Sequence, residues 1–152
     1  MKVILVKSPK NKNNFSAQIS APKLQILVNR ICRYFSAQKI RNKKLLKQKK
    51  ELTLVFLNRA EMKKINLQFR KKNKPTDILS FHSHDPHSLG ELLLCAEVLK
   101  AQAIRHEHSF NDEITYMLIH GILHLLGYDH EASVKEEKLM FRLQDKCFNE
   151  LV

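Results

Sequence analysis

The sequence predicts an α+β fold over residues 1–152 as a single domain: a small mixed, mostly parallel sheet of about four strands packed with about five helices. Three observations carry that expectation. Short apolar runs recur near residues 1–7, 52–57, 77–81 and 92–95, too brief for helices and bounded by polar or turn residues, so they read as strands. The stretches between and after them place apolar residues three and four apart, the mark of helices with one buried face. Several of these stretches open on Ser or Asn with a suitable partner three residues on, which marks where each helix starts. The resulting order is β-α-β-α-β-β-α-α-α.

Residues 1–7 hold too short an apolar core for a secretory signal peptide, and no small-residue cleavage site follows, so they are expected to form a strand. Residues 8–14 read as a polar loop. Ser20 caps a helix with Pro22 in its first turn, and Leu24, Leu27, Val28, Ile31 and Phe35 line its buried face. A dense basic run covers residues 39–50, with Leu45 and Leu46 inside it. Such a run is ordinarily a solvated turn or helix end; the other reading is a patch facing RNA. After the strand at 52–57, Asn58 and Glu61 form a capping pair for a helix expected to turn Met62, Ile65 and Phe69 inward. Residues 70–75 form a basic loop, in which Pro75 biases Lys74 away from helical backbone.

The next strand, at 77–81, leads into a loop up to Gly90. His82, His84 and His87 cluster there with Asp85, an arrangement read as an incidental feature of a turn rather than a second metal site. Following the strand at 92–95, Val98, Leu99 and Ala103 define a helix ending near Arg105. His106 and His108 lie between helices and carry no assigned role. Ser109 with Asp112 opens the next helix, and Glu113 sits favourably beside its positive end. Ile114, Met117, Leu118, Gly121, Ile122 and Leu125 leave that helix so few polar positions that it must be buried on most faces. Ser133 and Glu136 begin a last helix with Met140, Leu143, Cys147 and Leu151 inward.

Composition narrows the partners. A net charge of +12 points to a polyanion, most often nucleic acid, although lysine-rich surfaces also serve solubility. No apolar run approaches the roughly 20 residues that span a bilayer, so no membrane association is expected. Cys32, Cys95 and Cys147 are odd in number, far apart and free of any C-x-x-C pair. They read neither as a disulfide frame nor as a cysteine zinc site, and a cytoplasmic location is expected.

The most informative stretch is residues 120–130, with the spacing H-x-x-x-H-x-x-G-x-x-H. His120 and His124 at i and i+4 leave one face of a helix a single turn apart, within reach of one ion. Gly127 stands where a helix ends, because glycine takes left-handed backbone without a Cβ clash, and the chain can then return His130 as a third nitrogen. One histidine alone would be an ordinary core or surface residue; three in this spacing are expected to hold a metal. Three imidazoles leave a fourth tetrahedral position open, as catalytic zinc sites do. The pattern resembles the metzincin protease signature in every position but one: Gly121 stands where those proteases carry their general base, a glutamate.

Two blocks together resemble the YbeY family of bacterial rRNA-maturation endoribonucleases. One is residues 69–81, which include Phe69, Arg70, Lys72, Pro75, Thr76 and Asp77; the other is residues 120–130, which include Tyr128 and Asp129. The resemblance covers roughly the last two thirds of the chain, the first 50 residues matching in layout alone. It implies a single zinc ion on His120, His124 and His130 and an arginine, Arg70, important for activity. The activity it implies is cleavage of single-stranded RNA, with a role in 3′-end maturation of the 16S rRNA and in ribosome biogenesis and quality control. The partners implied are rRNA, the small ribosomal subunit and its assembly factors. The chain departs from the family at His82, where proline is usual, and at Glu91, where aspartate is common.

On that reading Arg70 clamps phosphate, and Lys71, Lys72 and Lys74 track the RNA backbone. The plain alternative for Arg70 is a salt bridge at a helix end. Asp129 and Glu113 could orient water, or more simply hold an imidazole N–H. No residue obviously replaces the missing glutamate, and the RNA's own 2′-OH could be the nucleophile. Two other functions fit the same residues: a zinc-stabilised, non-catalytic ribosome-assembly module, and a zinc peptidase or other hydrolase.

Overall fold

The computed structural model describes residues 1–9 and 19–152, so most of the loop expected at 8–14 lies outside the described residues. In chain order the elements are β1 (Lys2–Lys7), α1 (Ala21–Ala37), α2 (Leu45–Gln48), β2 (Glu51–Leu57), α3 (Arg59–Arg70), β3 (Ile78–Phe81), β4 (Ser88–Cys95), α4 (Ala96–Arg105), α5 (Phe110–Leu125) and α6 (Val134–Leu151). The strands lie in the order β1-β2-β4-β3. β1, β2 and β4 run parallel, and β3 pairs antiparallel with β4 at the edge. The sheet is therefore mixed and mostly parallel, as expected.

Helix starts follow the capping residues. Ser20, Ser109 and Ser133 each accept an N–H from the third residue on, and Asn58 with Glu61 forms the full reciprocal capping box. Two elements differ from expectation. α2 is a sixth helix, a single turn inside the basic run, held by Leu46 as its one buried residue. β4 begins at Ser88 rather than after Gly90, because Gly90 is not a breaker here but the point where two backbones meet. Its φ is +148°, and a Cβ there would lie 2.4 Å from the Phe81 carbonyl oxygen.

Alternation along β2 sends Leu52, Leu54 and Phe56 to one face of the sheet and Leu57 to the other. The first face carries the larger core, shared with α1 and α5 through Val28, Ile31, Phe35, Leu118, Ile119 and Ile122. The second carries a smaller cluster in which Met62 of α3 meets Leu57, Leu79, Leu93 and Cys95. α5 presses so closely on the sheet that a Cβ on Gly121 would come within 2.8 Å of the Leu92 side chain and 2.9 Å of that of Ile78.

One core expectation fails. Phe69, expected inward with Met62 and Ile65, is 59% exposed. The apolar cover ends at the edge strand β3, whose last residue, Phe81, packs edge-to-face with the Phe69 ring, with centroids 5.1 Å apart and planes at 68°. The three cysteines are free and buried. Among the described residues no helix is long and apolar enough to cross a membrane.

Candidate metal centre

α5 sets His120 and His124 one turn apart on the same side. It then ends in a Schellman motif: the Gly127 N–H donates to the His124 carbonyl at 3.0 Å and the Tyr128 N–H to the Leu123 carbonyl at 3.1 Å. Gly127 has a φ of +95°, so the reversal uses the conformation that glycine adopts without strain. The chain thereby returns His130 to the other two rings. Centroid separations are 4.8 Å for His120–His124, 5.0 Å for His120–His130 and 5.1 Å for His124–His130.

One potential ligand atom from each ring lies within 4.8 Å of the others. His124 Nε2 stands 3.1 Å from His130 Nδ1, close to the roughly 3.3 Å between two ligands of a tetrahedral ion with bonds of 2.0–2.1 Å. The donor set is thus three imidazoles whose nitrogens already share one small space, and it fits zinc chemistry. Burial lowers the pKa of His120, and burial followed by the charges of its two neighbours takes His124 down to about 4. Both rings are therefore neutral near pH 7, the form that binds a cation.

Gln144 orients the innermost ring, and sequence reasoning did not find it. This fully buried side chain on α6 accepts from His120 Nδ1 at 2.9 Å while its amide nitrogen donates to the Tyr116 carbonyl at 3.1 Å. The second bond fixes which end of the amide faces the ring, so Nδ1 carries the proton and Nε2 keeps its lone pair for an ion. Its signal in the sequence was a polar residue four positions after Met140, on the inward face of an otherwise apolar stripe.

Glu113 does hold imidazoles, but not those of the triad. Its fully buried carboxylate faces His106 Nδ1 and His108 Nδ1, each at 3.2 Å. Seven residues of helix separate it from His120 by roughly 10 Å of rise, which is why a shared stripe does not bring them together. His106 and His108, given no role from sequence, are its partners. Asp129 accepts the Glu131 N–H at 2.9 Å, so it shapes the loop, and its charge opposes the fall in the His124 pKa. The histidines at 82, 84 and 87 join neither of the two His-containing donor groups that converge among the described residues.

Arg70, the last residue of α3, reaches the triad. Its guanidinium pairs with Glu131, whose carboxylate also lies 3.8 Å from His130 Nε2. Glu131 was not singled out in the sequence. Lys71 takes left-handed backbone and ends α3. The Lys74 carbonyl, rather than its ammonium, is engaged, accepting from Asn66 Nδ2 at 2.8 Å. Of the three loop lysines, Lys72 lines a cavity of about 580 Å³ that also includes all three histidines, Arg70, Glu131 and the rings of Phe69, Phe81 and Phe141. Asp77, in the Pro-Thr-Asp block, is structural: its carboxylate accepts the Ile78 N–H at 2.7 Å and the Gln102 amide at 3.0 Å. Gly121 faces the sheet with no room for a Cβ, so the position that carries a base in the proteases points away from the cavity.

A model of the family described as endoribonuclease YbeY matches residues 10–152. The chain belongs to the YbeY family. It is 53% identical over 116 residues to an endoribonuclease YbeY of Bdellovibrio bacteriovorus, covering 74% of this chain and 77% of the relative. A Staphylococcus saprophyticus endoribonuclease YbeY is 36% identical over 114 residues, covering 68% and 74%. The solution structure of a Thermotoga maritima protein superposes with a TM-score of 0.59 and 27% identity, over 97% of this chain and 87% of that one.

In this YbeY chain the basic run at residues 39–50 also has a defined use. The Arg41 N–H donates to the Tyr128 hydroxyl at 3.0 Å, its guanidinium lies 4.7 Å over the Tyr128 ring, and Nη1 bonds Glu136 at 2.7 Å. Asn42 donates to the Leu126 carbonyl at 3.0 Å. The connection after α1 thus clamps the histidine loop. The two departures from the family pattern, His82 and Glu91, are exposed and lie off the cavity wall.

Proposed function

We propose that this chain is a zinc-dependent endoribonuclease that cuts single-stranded RNA in the cytoplasm. Its expected substrate is rRNA of the small ribosomal subunit, at the stage of 16S 3′-end maturation and quality control, in company with the subunit and its assembly factors. The observation that carries this reading is one cavity in which three imidazoles converge beside an arginine and a lysine. The relatives named endoribonuclease YbeY support the choice of RNA as substrate.

In this scheme His120, His124 and His130 hold the ion, and Gln144 keeps His120 presenting Nε2. A zinc ion bound there would supply Lewis-acid charge to a phosphate oxygen. Arg70, steadied by Glu131, offers its planar fork to the same phosphate, a geometry that lysine cannot reproduce. Lys72 neutralises a neighbouring phosphate and carries no sequence information. A peptidase reading is disfavoured by Gly121, which leaves the helix no space for the glutamate base.

The test is zinc content and RNA cleavage measured on wild type, His124→Ala and Arg70→Ala purified in parallel. Wild type is expected to carry about one zinc and cut. His124→Ala should lose both, and Arg70→Ala should keep zinc while cutting at least 100-fold more slowly, the scale seen when a transition-state donor is removed. Undiminished cutting by metal-free His124→Ala protein would refute the proposal.

A further inference from the structure

We propose that Phe69 is a nucleobase subsite, on which an unpaired base of the RNA stacks while Arg70 holds an adjoining phosphate. The inference rests on the endoribonuclease reading and adds to it a physical basis for single-strand preference. Phe69 occupies a position on α3 whose spacing from Met62 and Ile65 calls for burial, yet it is 59% exposed. A lone exposed apolar side chain is unremarkable on a protein surface. Three features set this one apart.

Its ring is held rather than loose, because Phe81 packs edge-to-face against it at 5.1 Å. This single ring contact fixes orientation, and the 59% exposure shows that ring surface remains uncovered. The ring also forms part of the wall of the cavity that contains the three histidines. Finally, its sequence neighbour Arg70 and the nearby Lys72 line the same wall, so a π surface and two cations face one space. Aromatic rings interleaved with cations are how proteins grip single-stranded nucleic acid: every base has a π face, and the contact tolerates sequence. A base within a duplex is already stacked and cannot make this contact, so the subsite selects unpaired RNA.

The experiment measures kcat/KM for a fluorescent single-stranded oligoribonucleotide with the full, zinc-loaded chain. Wild type is compared with Phe69→Ala, Phe69→Leu and Phe69→Trp, with thermal unfolding recorded for each. An abasic nucleotide is also scanned along the substrate. Loss of the ring is expected to lower kcat/KM roughly 5- to 100-fold, the equivalent of one stacked base. Leu, which keeps apolar bulk without a π face, should fall as Ala does, and Trp should restore activity. One abasic position near the cut should impose the same loss on wild type and none on Phe69→Ala. A merely structural role would not produce that coupling. If wild type cuts but the abasic penalty persists undiminished in Phe69→Ala, or Leu retains full activity, the subsite is refuted while the nuclease stands. If zinc-loaded wild type does not cut at all, the nuclease reading fails and the subsite with it.

Discussion

A single amide decides which nitrogen of His120 faces the cavity. Because Gln144 is tied to the Tyr116 carbonyl, it cannot rotate to donate to the ring without losing that bond. Gln144→Leu is therefore expected to weaken zinc binding roughly 10- to 100-fold, as loss of an orienting partner does. Competition against a chromogenic chelator reads this directly, and unchanged affinity would show that the ring is oriented by packing alone. Gly121 makes the opposite kind of demand. Gly121→Ala forces a methyl group into space held by Leu92 and Ile78, and should cost about 1–3 kcal/mol of stability in denaturant unfolding. The convergence of the three histidines was legible in the sequence because i, i+4 spacing and a helix-ending glycine are local facts. Gln144 and Glu131 were not, since each meets the histidines only through tertiary packing. Glu113 misled for the same reason: a stripe gives the face of a helix but not which partner waits two turns along it.

At the level of elements, the order and most boundaries followed from short apolar runs and from capping residues whose hydrogen bonds all form. α2 was invisible because one turn has no period to detect. The start of β4 is hidden in the sequence because glycine ordinarily punctuates a strand, whereas Gly90 allows the Phe81 carbonyl to approach. The failure at Phe69 is of another kind. Periodicity assigned it to the core correctly as a helix position, but the sheet beneath α3 ends there. Places where local rules point inward and the fold leaves a residue outward are where function is worth seeking.

Across the whole molecule, the placement of the third histidine depends on a segment distant in sequence. Arg41 and Asn42 hold the turn that returns His130. An ion that binds only the folded arrangement should stabilise both sides of this contact by mass action, about 4 kcal/mol when free zinc is a thousandfold above its Kd. Removing zinc is therefore expected to lower the melting temperature and to speed amide exchange at Arg41 as well as at residues 126–130. Exchange at Arg41 that ignores the metal would show that the two regions open independently. The division of labour this implies is unusual in its asymmetry. The three histidines of the triad all lie after residue 119, yet a fragment beginning at residue 45 would keep them while losing both the brace on the returning turn and the α1 share of the core. Such a fragment would hold the full set of parts and still misplace the last one.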